Sequence, residues 1–281
     1  MAGVSRVFQV GEQALVVDAK NRRYLITLAE EGEFHTHAGV TPHSAMLGQP
    51  EGITVRSNTG ARYLVLRPTL ADFVLSMPRG AQVIYPKDLG QLLVMADVFP
   101  GARVLEAGVG SGALSLALLR AGAAVTGYEL RTDFANVARK NVSRFLGPGQ
   151  PYTVVARDVY DGIDEPDLDR VILDLPEPWR VVKHAESALP PGGIFAAYLP
   201  TIGQVAELTG ALDHSAFGLA TTVEVLVRSW HVAGQSVRPD HRMVAHTGFL
   251  TSARLLGGPG DAPPPSPEEA PEEAPEEAPG P

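Results

Sequence analysis

The sequence has no cysteine among its 281 residues, so neither disulfide bonds nor thiolate metal sites can form. No apolar run is long enough to cross a bilayer as a helix, and we expect no membrane partner. The first residues also lack the basic-then-apolar order of a secretory signal peptide. Together these absences predict a cytoplasmic protein.

Basic residues are scarce as well, with 23 Lys and Arg against 32 Asp and Glu and a net charge of -9. Most of this imbalance lies at the C-terminal end, because residues 257–281 contain seven acidic residues and no basic one. The rest of the chain is therefore close to neutral. A near-neutral body can carry a basic face, so composition does not exclude binding to RNA.

The chain divides into three regions by its sequence pattern. Residues 1–75 contain short β-rich runs separated by turn clusters, which predicts a small β domain with mostly antiparallel strands. Residues 76–256 alternate apolar strands with longer helical patterns, which predicts an α/β domain with a parallel sheet and crossover helices. Its last two runs, VEVLVRSWHV and TGFLTSARLL, predict an antiparallel hairpin at the sheet edge. Residues 257–281 repeat PEEA three times, which predicts a disordered acidic tail.

A glycine-rich loop joins the first strand and the first helix of the α/β domain. In RVLEAGVGSGALSLALLRA the glycines are Gly108, Gly110 and Gly112. Glycine permits positive φ angles and lets the backbone approach a ligand closely. The N–H groups at the start of the next helix can receive polar or anionic groups. A tight turn without a ligand gives the same pattern, but the position in the first βα unit favours a ligand site.

Acidic residues end the next two strands. Glu129 follows the first glycine by about twenty residues, where a carboxylate can bind both ribose hydroxyls of an adenosine-containing cofactor. NAD and S-adenosylmethionine both meet that requirement. The spacing G-x-G-x-G, rather than G-x-G-x-x-G, favours S-adenosylmethionine, and so does Asp158 after the next strand. Asp158 is expected either to hold the adenine amino group or to cap a turn.

A further acidic residue ends the buried run VILDLPEPW. Asp174 should lie at the carboxyl end of a strand, where open α/β sheets bind ligands. Pro176 and Pro178 cannot donate ladder hydrogen bonds and have fixed φ angles, so the following loop should be stiff. We therefore expect Asp174 at a ligand site, with the capping of a strand-end turn as the alternative.

Several motifs, in this order and at this spacing, resemble the class I S-adenosylmethionine-dependent methyltransferases: EAGVGSGALS, YELRTDFANVARKNV, RDVYDGI and DLPEPW. More narrowly, IYPKDLGQLL, DLPEPW and AYLPTIGQV resemble the tRNA (adenine-N1)-methyltransferases that modify adenosine 58 in the T loop. The segment RSWHVAGQSVRPDHRMVAHTGFL looks like the actinobacterial version of that family's C-terminal hairpin. The resemblance covers roughly residues 5–256.

The resemblance implies a Rossmann-like, mostly parallel sheet of seven strands, preceded by a small N-terminal β domain. It also implies a homotetramer, built as a dimer of dimers. The expected cofactor is S-adenosylmethionine without a metal, the partner is tRNA, and the product is 1-methyladenosine. The cofactor-binding residues that it implies are Gln91, Gly108, Val109, Gly110, Ser111, Gly112, Ala113, Glu129, Asp158, Val159 and Asp174.

The chemistry of adenine gives Asp174 and Tyr85 their expected catalytic roles. Adenine N1 has an in-plane lone pair and attacks without prior deprotonation. A carboxylate that accepts a hydrogen bond from N6 stabilises the developing charge, and removal of a proton by Asp174 stays open beside this role. Because N1 lies on the Watson–Crick edge, the base must be extracted and held in a pocket. Tyr85 and Trp179 are candidates for its walls, with core packing an equal interpretation of Trp179.

Two more groups of polar residues have both functional and structural interpretations. Arg238, His241 and Arg242 form a basic loop suited to phosphate contacts, or else a mobile hairpin tip. In YPKD, Asp88 is expected to cap the helix that starts there, and the motif is also expected to form a lid over the cofactor.

Three histidines, His35, His37 and His43, lie close together in HTHAGVTPH and its neighbourhood. A metal site is disfavoured, because the resemblance implies none and no thiolate is available. A solvated loop is the favoured interpretation, ahead of contact with RNA or with another subunit.

Other functions stay open at this point. The acceptor can be an exocyclic amine or a protein carboxylate, although Glu177 separates the two prolines that adjoin in amino methyltransferases. A non-catalytic RNA-binding subunit is disfavoured by the intact glycine loop and acidic residues. An NAD-dependent oxidoreductase is disfavoured by the glycine spacing.

Overall fold

The computed structural model describes residues 6–80 and 82–257, so nearly all of the predicted acidic tail lies outside the described residues. Its strands are β1 Gln13–Asp18, β2 Arg23–Thr27, β3 Glu33–Thr36, β4 Gly39–Pro42, β5 Ile53–Arg56, β6 Arg62–Leu66, β7 Arg103–Ala107, β8 Ala124–Tyr128, β9 Tyr152–Val155, β10 Arg170–Leu173, β11 Ile194–Leu199, β12 Phe217–Glu224, β13 Trp230–Ala233, β14 Ser236–Pro239 and β15 Phe249–Leu255. Its helices are α1 Leu70–Ser76, α2 Pro86–Met95, α3 Ala113–Arg120, α4 Thr132–Leu146, α5 Val182–Ala188 and α6 Ile202–Asp213. Over these two ranges no helix has the length and apolar character needed to cross a membrane.

The N-terminal part forms a four-stranded antiparallel sheet in the order β2-β1-β6-β5, with β3 and β4 as a separate hairpin. The alternation in β6 explains its packing, because Tyr63 and Val65 are buried while Arg62 and Leu64 are exposed. The buried side chains join Phe34 and others in a core of their own. This agrees with the sequence-based expectation of short, mostly antiparallel strands.

The C-terminal part has a seven-stranded sheet in the order β12-β15-β11-β10-β7-β8-β9. The five strands from β11 to β9 are parallel, and β15 is antiparallel to both of its neighbours. Strands β10 and β11 are buried along their whole length, as expected for parallel strands covered on both faces. The chain thus has the class I methyltransferase fold that the sequence predicts.

The order of the strands determines where a ligand can bind. From β7 the chain moves to β8 and β9 on one side, whereas β10 and β11 lie on the other side. The boundary between β7 and β10 is therefore a topological switch point, and open α/β sheets bind ligands at the carboxyl ends of such strands. Leu173 of β10 is in register with Ala107 of β7, so the loops after both strands start side by side.

The closing pair β12 and β15 is antiparallel and lies at the sheet edge, as the sequence predicts, but the bounds of its first strand differ from the prediction. The sequence predicted one strand through VEVLVRSWHV, but β12 starts at Phe217 and ends at Glu224. Residues 225–247 leave the sheet and carry the separate pair β13–β14 before β15 begins. We call this segment the arm. Its side chains are mostly exposed, so alternation of apolar residues there did not reflect a strand of the main sheet.

Candidate active site

The glycine loop adopts the backbone conformations that its sequence predicts. Gly108, Gly110 and Gly112 all have positive φ angles, of 83°, 53° and 85°. At Gly108 a Cβ atom would lie 2.1 Å from the backbone oxygen of Asp174, so no larger residue fits there. Gly112 is the N-cap of α3 and packs against Ala138 of α4. The loop is thus held directly against the end of β10.

The remaining loop residues hold the loop in the fold. Val109 is buried against α4, and Ala113 is the first residue of α3. The backbone oxygen of Ser111 accepts a hydrogen bond of 3.0 Å from Asn141 Nδ2. The Oγ atom of Ser111 is buried and has no hydrogen-bond partner among the described residues. One polar atom inside the loop therefore has unused hydrogen-bonding capacity.

Glu129 follows β8 and faces the glycine loop. Its Oε2 accepts a hydrogen bond of 3.0 Å from Gly110 N, and its Oε1 accepts one of 2.9 Å from Arg131 N. Each carboxylate oxygen has a second lone pair. Glu129 can therefore keep the loop in place and accept hydrogen bonds from a ligand at the same time.

Asp158 lies beyond the end of β9 and is the N-cap of the 3-10 turn Val159–Asp161. Its Oδ1 accepts a hydrogen bond of 2.9 Å from Tyr160 N, so the capping interpretation is part of its role. Asp158 also lines a cleft of about 100 Å³ together with Gly108, Glu129 and Val159. The structure brings together the residues predicted for the ribose and the adenine.

Asp174 directly follows β10 and lies across the switch point from the glycine loop. Its backbone N–H donates to Ala107 O at 2.9 Å, which continues the pairing of β10 with β7. Its carboxylate has no hydrogen-bond partner among the described residues, although it lines a small recess with Gly108 and Ser111. Burial raises the pKa of Asp174 to about 7. The expected alternative, a carboxylate that caps its own turn, does not match this geometry.

Glu106 is a fourth acidic group at this place, and the sequence-based interpretation did not include it. It is fully buried on β7, and its Oε2 accepts a hydrogen bond of 2.6 Å from Ser115 Oγ. Its Oε1 has no partner among the described residues. Burial raises the pKa of Glu106 to about 8, with a smaller contribution from the charge of Asp174. Its place just before the first glycine of the loop was the signal that could have identified it.

The predicted residues outside the strand ends are more scattered. Tyr85 is the N-cap residue of α2 and is partly buried. Gln91 lies on α2 and lines neither the cleft nor the recess described above. Trp179 lies in a 3-10 turn and packs against the apolar core on one face of the sheet. The contacts of Trp179 thus match core packing, while its role toward a substrate stays a prediction.

Two structural expectations were wrong. Asp88 does not cap α2, because it is the third residue of the helix and is fully buried beside Lys87. His43 is not part of a solvated loop: it is buried, and its Nδ1 accepts a hydrogen bond of 3.0 Å from Ala29 N. His35 and His37 are exposed. Residues 6–80 and 82–257 contain no cluster of three or more potential metal ligands.

The basic residues predicted for phosphate contacts lie on the arm. Arg238 belongs to β14, and His241 and Arg242 follow it in a loop. All three side chains are exposed. The structure thus places all three on the exposed arm, at a distance along the chain from the strand ends that carry the acidic residues.

Comparisons with known proteins agree with this geometry. The family model described as "tRNA methyltransferase complex GCD14 subunit" matches residues 62–238. A second model, described as "TrmI-like N-terminal", matches residues 7–55.

Among curated relatives, the tRNA (adenine(58)-N(1))-methyltransferase TrmI of Thermus thermophilus is 40% identical over 243 residues, which are 85% of this chain and 95% of the relative. The tRNA (adenine(57)-N(1)/adenine(58)-N(1))-methyltransferase TrmI of Methanocaldococcus jannaschii is 34% identical over 86% of this chain and 94% of the relative.

Two solved structures are similar over almost the whole described chain. One is a SAM-dependent O-methyltransferase from Thermotoga maritima, with a TM-score of 0.86, 32% identity, and coverage of 91% of this chain and 97% of the other. The other is the tRNA (m1A58) methyltransferase TrmI from Aquifex aeolicus, with a TM-score of 0.79, 29% identity, and coverage of 90% and 100%.

Proposed function

The chain belongs to the tRNA methyltransferase family of GCD14 and TrmI, and from this membership we propose its reaction. It transfers a methyl group from S-adenosylmethionine to N1 of adenosine 58 in the T loop of tRNA, and the product is 1-methyladenosine. The observation that carries this proposal is the carboxylate of Asp174, which has no hydrogen-bond partner among the described residues and lies beside the glycine loop.

The residues present fit S-adenosylmethionine. Gly108 leaves no room for a side chain next to Asp174, which keeps the backbone open at the switch point. Glu106 and Ser111 each have a buried polar atom without a partner among the described residues. Acidic groups at this edge suit a cofactor that carries positive charge at its sulfonium and its amino group. Glu129 would hold the ribose hydroxyls, Asp158 and Val159 the adenine, and residues 108–113 the methionine end.

When bound, S-adenosylmethionine supplies an activated methyl group. Asp174 accepts a hydrogen bond from N6 of the target adenine, and this contact orients N1 toward the methyl group. As positive charge spreads over N1 and N6, the ionised carboxylate stabilises it. Pro176 and Pro178 restrict the backbone after Asp174, so the carboxylate keeps its orientation. Attack by N1 needs no base, because its lone pair is already available.

The target base must leave its RNA fold to reach this place. Tyr85 lies at the start of α2 and forms a wall of the base pocket. Arg238, His241 and Arg242 contact phosphates, which carry much of the affinity of a protein for RNA without reading sequence. Trp179 supports the loop after Asp174 by its packing against the core.

The same proposal covers assembly and organisation. The arm exposes several large apolar side chains, including Trp230, Val232 and Val237, and such surfaces commonly mark contacts between proteins. A homotetramer built as a dimer of dimers covers them. Division into domains at residues 75 and 256, and location in the cytoplasm, are further parts of this proposal. Light scattering coupled to gel filtration tests the tetramer, and a monomeric protein contradicts it.

Nucleoside mass spectrometry of a tRNA transcript, incubated with the protein and S-adenosylmethionine, tests the reaction. We expect 1-methyladenosine, mapped to position 58, and none in a transcript that carries guanosine there. A methylated hydroxyl or exocyclic amine instead identifies another acceptor. Absence of product together with absence of cofactor binding identifies a non-catalytic RNA-binding subunit, and retention of NAD identifies an oxidoreductase.

A further inference from the structure

The arm joins the body at its two ends, and both ends meet the start of α2. The backbone oxygen of Val225, at the first end, accepts a hydrogen bond of 2.6 Å from Lys87 Nζ. At the second end, Thr247 Oγ1 accepts a hydrogen bond of 2.5 Å from the same ammonium group. Lys87 therefore connects two points that are 22 positions apart along the chain but adjacent in space.

Asp88 completes a closed cycle of contacts. Its Oδ1 lies 2.8 Å from Lys87 Nζ, and its Oδ2 accepts a hydrogen bond of 2.6 Å from Thr247 Oγ1. The Lys87 and Asp88 side chains are 6% and 0% exposed, so the pair is shielded from water. An ammonium group has three protons, and here each has an acceptor. Lys87 is thus fully used within the protein and has no proton left for an RNA phosphate.

A buried ion pair of this kind contributes little net stability. The cost of removing two charges from water offsets most of their attraction, and apolar residues of similar volume often stabilise a protein as well. What the pair provides is a defined geometry, because every donor and acceptor must meet its partner. The geometry defined here is the position of the arm relative to α2.

The segments that meet at this place connect to the elements on either side of the Asp174 site. Tyr85 and Pro86 directly precede Lys87, and Tyr85 is the proposed wall of the base pocket. Tyr198 donates a hydrogen bond from its hydroxyl to Thr247 O, and it belongs to β11, the neighbour of β10, which Asp174 directly follows. Thr247 is therefore held through both its side chain and its backbone.

A second set of contacts connects the second end of the arm to the loop after β11. His246 Nδ1 lies 2.7 Å from Glu224 Oε1, and its Nε2 lies 2.9 Å from Pro200 O. Both ring nitrogens face acceptors, and the hydrogen bond with Glu224 raises the pKa of His246. Thr247, next in the chain, is thereby anchored from this side too.

We propose that Lys87, Asp88 and Thr247 form a latch that positions the arm for tRNA methylation. The latch keeps the basic residues of the arm in a fixed relation to the base pocket beside Asp174, so that a tRNA held at its phosphates presents the target base there. The three residues are positioning residues, since they act through the arm. This inference rests on the proposed function.

Thr247→Val tests the latch, because it removes one hydroxyl and leaves the Lys87–Asp88 pair in place. We expect KM for tRNA to rise about tenfold, the loss typical of a hydrogen bond to a charged group. The Kd for S-adenosylmethionine should stay within about twofold, because the glycine loop is untouched. Thr247→Ser keeps the hydroxyl and should restore the KM.

Thr222→Val is the matched control. Thr222 Oγ1 lies 2.8 Å from Thr251 Oγ1 across the pair β12–β15, so this variant also replaces a threonine hydroxyl that makes a hydrogen bond, but at a place that does not contact α2. Its KM should be that of the unchanged protein. An equal rise in KM for both threonine variants overturns the latch, because it would show a general effect of weakening β12 and β15.

Combining Thr247→Val with the loss of the basic residues of the arm separates an effect on the position of the arm from a general loss of structure. If the latch acts through the arm, Thr247→Val should have little further effect once Arg238→Ala and Arg242→Ala have removed the phosphate contacts. A full tenfold effect in that background contradicts the proposal. Asp88→Asn offers a second way to weaken the latch with little change of shape, and the same non-additivity is expected of it.

Hydrogen exchange makes the test independent of methylation. Amides of β13 and β14 should exchange at least about threefold faster in Thr247→Val than in Thr222→Val, while those of β7 and β8 stay equal. Unchanged exchange in the arm overturns the latch. If the unchanged protein makes no 1-methyladenosine, the proposed function fails, but this exchange contrast still decides whether the latch fixes the arm.

Discussion

The carboxylates on the two sides of the switch point differ in the hydrogen bonds that they accept from the protein. On the side of β8 and β9, Glu129 accepts hydrogen bonds from two backbone N–H groups and Asp158 accepts one. On the side of β10, the carboxylate of Asp174 accepts none from the described residues. The first side is therefore formed by hydrogen bonds within the protein, whereas the second side keeps free hydrogen-bonding capacity, which the proposed function assigns to a donor on the substrate.

This difference has an energetic consequence. A carboxylate that accepts backbone hydrogen bonds is stabilised in its ionised form, while burial without partners destabilises that form. The pKa of Asp174 is accordingly raised to about 7. A strained or destabilised group of this kind is common where a protein gives up stability for activity. The comparison predicts that changes on the β8–β9 side affect cofactor binding and changes at Asp174 affect catalysis.

Asp174→Ala should give the largest effect. We expect kcat for tRNA to fall by about 10²–10³-fold, as when one group that stabilises developing charge is removed. The Kd for S-adenosylmethionine should change by less than about threefold. Single-turnover methylation and titration calorimetry measure the two quantities. Loss of both by the same factor would erase the distinction between the two sides.

Gly108→Ala should follow, because Gly108 is the point at which the two sides touch. Its Cβ would lie 2.1 Å from Asp174 O, so the backbone must shift, and we expect a loss of about 3 kcal/mol or more in unfolding free energy. Gly110→Ala is the matched control, since its φ is also positive but the nearest atom to its Cβ is 4.0 Å away. Strain in φ alone should cost Gly110→Ala about 1–2 kcal/mol. Equal losses in urea denaturation would remove the special role of Gly108.

Local patterns were sufficient to predict much of this edge of the sheet. The glycine loop, Glu129 and Asp174 were predicted because each lies where an apolar strand ends, and strand ends are visible in a short window of sequence. The carboxyl ends of parallel strands meet at one edge, so nearness in space followed from the fold class. Asp158 was predicted for the same reason. The sequence did not distinguish between the capping of a turn and the binding of a cofactor by this residue.

Features that depend on distant partners were not predictable. Lys87 and Asp88 looked like a helix start, but their burial depends on Thr247, about 160 positions further along the chain. The place of Glu106 two residues before Gly108 is visible in the sequence, but its burial beside Ser115 of α3 is not. The arm alternates apolar residues as a strand does, yet they are exposed. In each of these cases the missing information was the identity of the neighbour.

Glu129→Gln should have a smaller effect than Gly108→Ala, and of another kind. Glutamine keeps the size of the side chain but loses the charge and one acceptor oxygen. We expect the Kd for S-adenosylmethionine to rise about tenfold, as for loss of a hydrogen bond to a charged group. At saturating S-adenosylmethionine, kcat should be nearly unchanged, because the lost contact stabilises the bound cofactor equally before and in the transition state. A fall in kcat as large as that of Asp174→Ala would contradict the division of roles.

The pH dependence offers a milder way to weaken Asp174. With a pKa of about 7, the ionised form that accepts the hydrogen bond from N6 decreases as pH falls. We expect kcat/KM for tRNA to drop about tenfold between pH 8 and pH 6, a decrease that follows the titration of one carboxyl group. The residual activity of Asp174→Asn should lack this dependence. The same profile in Asp174→Asn would assign the titration to another group.

Asp174→Asn should also stabilise the protein slightly. This is the smallest of the expected effects, and it tests most directly the difference between the carboxylates on the two sides of the switch point. The folded protein holds the Asp174 proton more tightly than the unfolded chain, because the pKa rises from 3.8 to about 7 on folding. Ionisation therefore opposes folding, increasingly between pH 4 and pH 7 and constantly above. Replacement by a neutral residue of equal size removes this cost.

For Asp174→Asn we expect the free energy of unfolding to rise by about 1–2 kcal/mol at pH 8, which is in the range of replacements that relieve a functional strain. The rise should be clearly smaller at pH 5, where less of the carboxyl group is ionised. Asp158→Asn is the control, because asparagine can still accept the hydrogen bond from Tyr160 N. Thermal and urea unfolding at both pH values measure the difference. If both variants are stabilised by the same amount at pH 8, then Asp158 and Asp174 have the same effect on the free energy of unfolding. The contrast between the two sides of the switch point would then not hold.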